Sequence, residues 1–247
     1  MKNWEANKMV IDAQNLHFAE LNEIIRNNTG EITINNCGGQ RFIGSGLSDR
    51  VITINGVPGN ALGAYLNGAD IIVNGNAQDA TGDTMNCGRI IIHGSIGDAA
   101  GYAMRGGEIY VKDDAGYRAG IHMKAYAEKN PVIIIGKKCG SFLGEYQAGG
   151  MIAVLGLDCD ENEIMGHFCG TGMHGGKILI RANKLYKTIP PQVSVNDATE
   201  ADINVFRPFI DNYAKLFNVT KDKIYNKHFY ILTPNSKSPY KQLYVQN

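Results

Sequence analysis

Very little in this sequence points to a strongly charged partner or to a membrane. Charged residues make up only 19% of the chain, and 24 basic and 24 acidic side chains give a formal net charge of +0. This balance offers no basic footprint for nucleic acid or for an anionic membrane. No apolar run approaches the roughly 18 residues of a membrane helix, and the N-terminus lacks the apolar core of a secretory signal. We therefore expect a cytoplasmic protein that binds neither nucleic acid nor membrane.

Cysteine is also scarce in the chain. The five cysteines are odd in number, and no two of them form a C-x-x-C pair. An odd set without paired spacing favours reduced thiols over a disulfide framework. The cysteines are Cys37, Cys87, Cys139, Cys159 and Cys169.

Glycine, by contrast, is abundant and periodic, with 30 residues in all. A short β-branched run followed by a glycine-rich stretch is repeated along the chain, as in the runs that begin at Ile71 and Ile90, 19 residues apart. Such repeats decide the architecture and must be recognised first. The first apolar residues of the units are Ile32, Ile52, Ile71, Ile90, Ile109, Val132, Ile152 and Ile178.

The repeat predicts an all-β fold. β-branched runs favour strands, and glycines supply the positive φ angles of tight corners. A strand with a crossover helix and loops needs about 30 residues, which a unit of 19 cannot hold. The solution that fits is a single-stranded parallel β-helix of about seven to eight coils, in which each unit is one coil.

Three segments follow from this interpretation. Residues 1–30 are expected to form a short strand and an amphipathic helix that Asn15 caps, covering the open end of the coils. Residues 31–181 form the coils, with one inserted loop at residues 157–165. Residues 182–247 form an exit linker, a C-terminal helix and a tail packed on the rod.

The outer face of the expected rod carries an apolar column. Side chains alternate along a strand, so the residue after each inward-facing residue points outward. From the third coil on this position is apolar, which is typical of an interface. Two covers fit and could coexist, namely the chain's own C-terminal helix and a partner protein. The predicted interface residues are Ile72, Ile91, Tyr110, Ile133, Phe206, Phe209 and Tyr213.

Two aspartates offer candidate chemistry. Asp79 and Asp98 occupy equivalent positions in successive units. On adjacent coils they would lie roughly 4.8 Å apart, close enough to bind a cation or to divide acid and base roles. Both also fall in glycine-rich corners, where an aspartate commonly hydrogen-bonds its own backbone. The corner role is the preferred interpretation, and a cation or catalytic site is the alternative.

A second candidate group lies in and after the inserted loop. It consists of Cys159, His167, Cys169 and His174, and soft ligands of this kind bind zinc. Their spacings match no paired-ligand pattern, which argues against a metal site.

A further outward column contains Asn35, Asn55, Asn74 and His93. It predicts either a solvated row or a hydrogen-bonded asparagine stack. His93 is interpreted as a member of this column rather than as a catalyst.

Four phrases of the sequence resemble a known family, and the similarity extends over nearly the whole chain. The phrases are residues 39–44 (GQRFIG), 59–64 (GNALGA), 101–107 (GYAMRGG) and 116–124 (GYRAGIHMK). They are similar to the Gly-x-Gly-x-Gly domain at the C-terminal end of the large subunit of glutamate synthase, in particular to the archaeal-type form, where that domain is a separate polypeptide. One subunit of formylmethanofuran dehydrogenase is similar over the coils only, and it shares the repeat rather than these longer phrases.

The resemblance implies a right-handed parallel β-helix and a role in glutamate synthase, which converts glutamine and 2-oxoglutarate to two molecules of glutamate. The domain is implied to be a non-catalytic scaffold between an amidotransferase subunit and an FMN and iron–sulfur synthase subunit. No catalytic residue and no cofactor is implied for this chain, since FMN and the iron–sulfur clusters belong to the partners.

Two alternatives stay open beside the glutamate synthase scaffold. One is a scaffold of the formylmethanofuran dehydrogenase type. The other is a stand-alone β-helix enzyme or cation-binding module that uses Asp79 and Asp98. Exposed coil edges could also support a homo-oligomer.

Overall fold

The structure is a computed structural model that describes residues 8–235. Its strands are β1 (Lys8–Asp12), β2 (Glu31–Gly38), β3 (Val51–Val57), β4 (Asn67–Asn74), β5 (Cys87–Ile92), β6 (Glu108–Val111), β7 (Val132–Ile135), β8 (Ala148–Val154), β9 (Gly175–Arg181), β10 (Val193–Asp197) and β11 (Phe229–Pro234). Its α-helices are α1 (Phe18–Asn27), α2 (Glu200–Leu216) and α3 (Lys221–Tyr225), and Glu161–Glu163 forms a 3-10 turn. No helix within these described residues is long and apolar enough to cross a membrane.

The coils stack as the repeat predicts. Strands β1 to β9 pair in chain order, each parallel to the next, in one 11-stranded sheet. Isolated parallel bridges continue the stacking on another side of the rod, from Ala77 through Ile96 and Ala115 to Cys139 and Met165. The expected parallel β-helix is therefore confirmed. We number the coils 1 to 8 by strands β2 to β9.

The prediction of which β7 residues point into the core is wrong. Ile133, not Val132, pairs with Ile109 and Ile152, so Ile133 points into the core and Ile134 points outward. All four residues of β7 are buried. A strand buried on both faces shows no alternation, and a slip of one residue exchanges every side chain between the faces.

The glycine-rich stretches form a recurring corner with three left-handed residues at alternate positions. In coil 3 these are Ala80, Gly82 and Thr84, with φ angles of 55°, 73° and 51°. We call this feature the left-handed corner. It is present in coils 1 to 7, and its middle residues are Gly44, Gly63, Gly82, Gly101, Gly120, Gly144 and Gly170.

In coils 1 to 6 only the middle position of the corner requires glycine. A Cβ atom on Gly82 would lie 2.5 Å from Cδ1 of Ile109, the core isoleucine two coils further along. The outer positions accept alanine, threonine and aromatic residues despite their positive φ. The backbone of the corner is hydrogen-bonded to both neighbouring coils. Ala80 N–H donates to Asp98 O of the next coil, and Gly82 N–H donates to Leu62 O of the preceding coil, each at 2.8 Å.

The N-terminal end of the rod is covered by α1, which buries Leu21 and Ile25 on the core. The predicted cap at Asn15 is wrong, because Asn15 forms a turn with φ 67° and the helix begins after His17. Arg50 closes the other end of α1 by donating from Nη1 to Ile25 O at 2.8 Å and to Asn28 O at 2.6 Å. A cation is favourable at this helix end.

The C-terminal end is closed by strands of opposite direction. β11 pairs antiparallel with β9, and β10 pairs antiparallel with β11. The expected exit linker is therefore only partly correct, since its last residues, Val193–Asp197, extend the sheet. This strand was not predicted because two consecutive prolines stand just before it, and proline is unfavourable inside a sheet. The expected tail beyond residue 235 lies outside the described residues.

The corner geometry predicts that Gly82→Ala lowers the free energy of unfolding by roughly 3 kcal/mol, from combined overpacking and left-handed strain. Ala80→Gly is the matched control, because Ala80 has a similar φ in the same corner. It should leave stability unchanged or raise it. Urea unfolding of both variants measures the difference, and equal stabilities would contradict this account of the corner.

Candidate functional site

The outward apolar column is covered by the chain itself. Its members in the structure are Ile72, Ile91, Tyr110, Ile134, Ala153 and Leu179. Helix α2 packs on them with Phe206, Ile210 and Tyr213, which forms a second hydrophobic cluster on the outside of the rod. Tyr110 and Phe206 are both 0% exposed. The C-terminal segment is thus the cover of this face.

Specific hydrogen bonds fix the position of α2. The Tyr110 hydroxyl donates to Glu108 Oε2 at 2.6 Å and accepts from Asn212 Nδ2 at 3.0 Å. The Tyr213 hydroxyl donates to Lys112 O at 2.9 Å. Burial raises the pKa of both hydroxyls, so they remain protonated donors. Gly136 leaves room for the second contact, since a Cβ there would collide with the Tyr213 hydroxyl.

The structure therefore places the seven predicted interface residues in three different environments. Ile91, Tyr110, Phe206 and Tyr213 are buried within the chain, and Ile133 lies in the central core. Because the first four are buried between the coils and helix α2, they are not available as contacts for another protein. Only the half-buried Ile72 and Phe209 of that set reach the surface. Outer and inner faces follow from the strand pattern, but the cover could not be chosen from the sequence alone.

A buried arginine, which was not singled out from the sequence, joins the rod to α3. Arg181 is 6% exposed and donates to Ile224 O at 2.6 Å, to Lys223 O at 2.7 Å and to Leu155 O at 3.0 Å. These acceptors include carbonyls at the C-terminal end of α3, where a cation is stabilising. The feature of the sequence that could have indicated this contact is an arginine directly after the apolar run of β9.

Asp79 and Asp98 lie on adjacent coils, as predicted, but they serve the backbone. Asp98 N–H donates to Asp79 Oδ1 at 2.9 Å, and Tyr117 N–H donates to Asp98 Oδ1 at 2.8 Å. The acceptors thus bind the next coil rather than their own turn, which corrects the expected corner role. A parallel ladder of the same kind runs through Asn76, Ser95 and Asp114.

The cysteine and histidine group is not brought together in the structure as a set of metal ligands. Among residues 8–235 there is no cluster of three or more histidine, cysteine or acidic side chains placed to hold a metal ion. Burial raises the pKa of Cys169 to about 12, which disfavours the thiolate that would bind zinc. Cys159 Sγ–H donates to Leu157 O at 3.3 Å, and His174 Nδ1 lies 3.1 Å from Gly172 O.

The asparagine column is a hydrogen-bonded stack. Asn55 Nδ2 donates to Asn35 Oδ1 at 2.7 Å, and Asn74 Nδ2 donates to Asn55 Oδ1 at 2.8 Å. His93 stands next in the column and packs edge-on against Phe217, with ring centroids 5.2 Å apart. Burial and the charge of Lys112 lower the pKa of His93, so it is a neutral part of the contact between the coils and the C-terminal segment.

The structure also shows a surface that the sequence did not reveal. In coils 4 to 7, aromatic side chains stand on the outside of the left-handed corners and beside them. Phe142 and Phe168 stack with ring centroids 5.1 Å apart, and His122 and Tyr146 stack at the same distance. We call this surface the aromatic ridge. Its members are Tyr102, Tyr117, His122, Phe142, Tyr146 and Phe168.

We predict that Tyr213→Phe lowers the free energy of unfolding by roughly 1–2 kcal/mol, because the partly buried carbonyl of Lys112 loses its donor. Tyr126→Phe is the matched control, since that side chain is 63% exposed, and it should unfold like the wild type. Urea titrations give both values. Equal stability of the two variants would show that the hydroxyl does not hold α2.

Two substitutions of Asp98 distinguish a side chain that accepts a backbone N–H from one that binds a cation. Asp98→Ala removes the acceptor for Tyr117 N–H and should cost about 1 kcal/mol. Asp98→Asn keeps an Oδ1 acceptor and should match the wild type with or without Mn²⁺ in thermal unfolding. An Mn²⁺-dependent rise of the melting temperature that Asp98→Asn abolishes would contradict this prediction.

Comparison with known proteins places these features in a family. The GXGXG motif family model matches residues 5–235. A protein of Methanocaldococcus jannaschii described as uncharacterized is 42% identical, with 96% of this chain and 97% of that protein covered. One chain of the formyltransferase/hydrolase complex of Methylorubrum extorquens, solved with methylofuran, has the same fold, with a TM-score of 0.61, 18% identity and coverage of 85% of this chain and 87% of that one. The chain belongs to the GXGXG motif family.

Proposed function

We propose that this chain is a non-catalytic scaffold subunit of a multi-subunit glutamate synthase, which converts glutamine and 2-oxoglutarate to two molecules of glutamate. It would hold an amidotransferase subunit and an FMN and iron–sulfur synthase subunit together in the cytoplasm. The observation that carries the proposal is the GXGXG family match over residues 5–235, which includes the elements at both ends of the rod as well as the coils.

The roles of the polar residues support a scaffold. Asp79 and Asp98 accept backbone N–H groups, and Arg181 closes a helix end. Cys139 and Cys169 are buried, and burial raises the pKa of both thiols. Side chains used in this way stabilise the rod and do not converge on a reactive centre. FMN and iron–sulfur clusters are accordingly assigned to the partner subunits.

Two other functions have weaker support. A scaffold of the formylmethanofuran dehydrogenase type is favoured by the fold shared with a chain of the formyltransferase/hydrolase complex. That likeness is one of fold alone, since the common architecture does not determine partners. A stand-alone module that uses Asp79 and Asp98 is disfavoured, because Oδ1 of each carboxylate already accepts a backbone N–H.

The proposal is tested by reconstitution with the amidotransferase and the FMN and iron–sulfur subunits of the same organism. The tagged full-length chain should bind both subunits, and the three-component mixture should form glutamate from glutamine and 2-oxoglutarate. Omitting this chain should abolish coupling between glutamine hydrolysis and glutamate formation, while the chain alone should be inactive.

An affinity purification from native cell extract discriminates between the scaffolds. Recovery of molybdenum- or tungsten-enzyme subunits in place of the glutamate synthase subunits would favour the formylmethanofuran dehydrogenase type. Full glutamine-dependent activity in the absence of this chain would reject the glutamate synthase proposal.

A further inference from the structure

We propose that the aromatic ridge is a docking surface for a protein partner whose contact face has an apolar centre and an acidic rim. The inference rests on the proposed scaffold function, which requires bound subunits, but it assigns the contact to a particular face. That face is the left-handed corner of coils 4 to 7, and it is distinct from the column that α2 covers.

The backbone of the corner does not require aromatic side chains at its outer positions. His122, Phe142, Tyr146 and Phe168 have φ angles of 54°, 63°, 53° and 61°. Bulky residues are disfavoured in this region of φ, and glycine is preferred there. Several other outer positions of the corners hold glycine or alanine, as at Gly46, Ala61, Ala80, Ala99 and Gly172. Strained residues that the fold could replace with glycine point to a function at the surface.

The ridge is also apolar and exposed. Tyr102 is 41% exposed, Tyr117 53% and Phe168 52%. Exposed aromatic residues gathered on one face mark protein contact sites more often than scattered ones do. The central apolar face of the ridge therefore calls for an apolar centre on the partner.

The ring arrangement favours a protein over a nucleic acid. The His122 and Tyr146 rings are nearly parallel, at 11°, and the Phe142 and Phe168 rings lie at 24°. Arg118 covers Phe142 from the other side, with Cζ 4.9 Å from the ring centroid. Since the faces of these rings are largely occupied, little area is left on which a base or a sugar could stack. The exposed ring edges suit packing against apolar side chains.

The charge around the ridge specifies the rim of the partner. Arg105 and Lys124 are exposed beside it, and neither forms an ion pair within residues 8–235. Glu145, on the ridge, is already paired with Arg118 at 3.1 Å. Asp98 lies at the coil 4 end and accepts Tyr117 N–H. Cations without an ion-pair partner attract carboxylates on an opposing surface, so we expect the rim of the partner to be acidic.

The test measures binding of the full-length chain to the purified amidotransferase subunit and, separately, to the purified FMN and iron–sulfur subunit. Phe168→Gly removes an aromatic ring and relieves left-handed strain, and Arg105→Glu reverses a rim charge. Each should weaken binding to one of the two subunits by about tenfold or more. The melting temperature of Phe168→Gly should remain close to the wild-type value.

Phe42→Gly is the matched control. Phe42 occupies the same corner position in coil 1, with φ 60° and 44% exposure, but it lies at the other end of the rod, against Phe18. This variant should bind both subunits as the wild type does. Equal weakening by Phe42→Gly and Phe168→Gly would overturn the assignment to coils 4 to 7.

The remaining outcomes separate this proposal from the proposed function. If the wild type binds a subunit and both ridge variants bind it equally well, the ridge proposal fails and the scaffold stands. If the wild type binds neither subunit, both fail. Should Phe168→Gly destabilise the fold, Arg105→Glu decides alone. Self-association in sedimentation velocity, or binding of a labelled oligodeoxythymidine, would overturn the acidic protein partner if Phe168→Gly or Arg105→Glu abolishes it.

Discussion

The stacking of this rod depends on the contact between the middle glycine of the left-handed corner in coils 1 to 6 and a core isoleucine two coils further along. Gly82 shows the constraint most clearly, because the space that a Cβ would need is filled by Ile109. The contact requires the chain to return to the same corner after each coil. It also explains why alternating left-handed residues are tolerated, since the N–H groups they present bond to the coils on either side. A periodic glycine and a periodic isoleucine are therefore two halves of one packing interaction.

This constraint also explains how far the sequence could predict the structure. Strand stacking followed from the recurrence of isoleucine and glycine. Strand alternation placed the asparagines in one column, but it did not decide between a solvated row and a hydrogen-bonded stack. The register of Ile133 did not, because four consecutive buried residues remove the alternation. The partners of Asp79 and Asp98 were missed for a different reason: their coil position is visible in the sequence, but the direction of the next coil's N–H groups is a property of the assembled corner. The aromatic ridge was missed because its residues are not periodic along the whole rod.

The face that α2 covers and the aromatic ridge differ in what they contribute to the stability of the chain. Helix α2 covers one of them with large buried side chains and with hydroxyl contacts to the coils, including Tyr213 to Lys112 O. That face contributes to the stability of the chain, so substitutions there act first on folding. The backbone of the corner does not require the aromatic residues of the ridge, since alanine or glycine occupies several of the outer positions. The rod thus separates the residues that maintain its shape from residues that are free to contact other molecules.

That separation has a consequence for how such a scaffold can change partners. Side chains that resemble catalytic or metal-binding groups, such as Asp98 and Cys169, are occupied by backbone contacts or by the core. Altering them would weaken the rod before it altered any recognition. The outer positions of the left-handed corner are different, because most of their side chains are at least partly exposed while their backbone N–H groups hold the coils together whatever the side chain is. A residue such as Phe168 could therefore be exchanged to suit another surface without changing the coil geometry, which is the property that a subunit whose task is to position others requires.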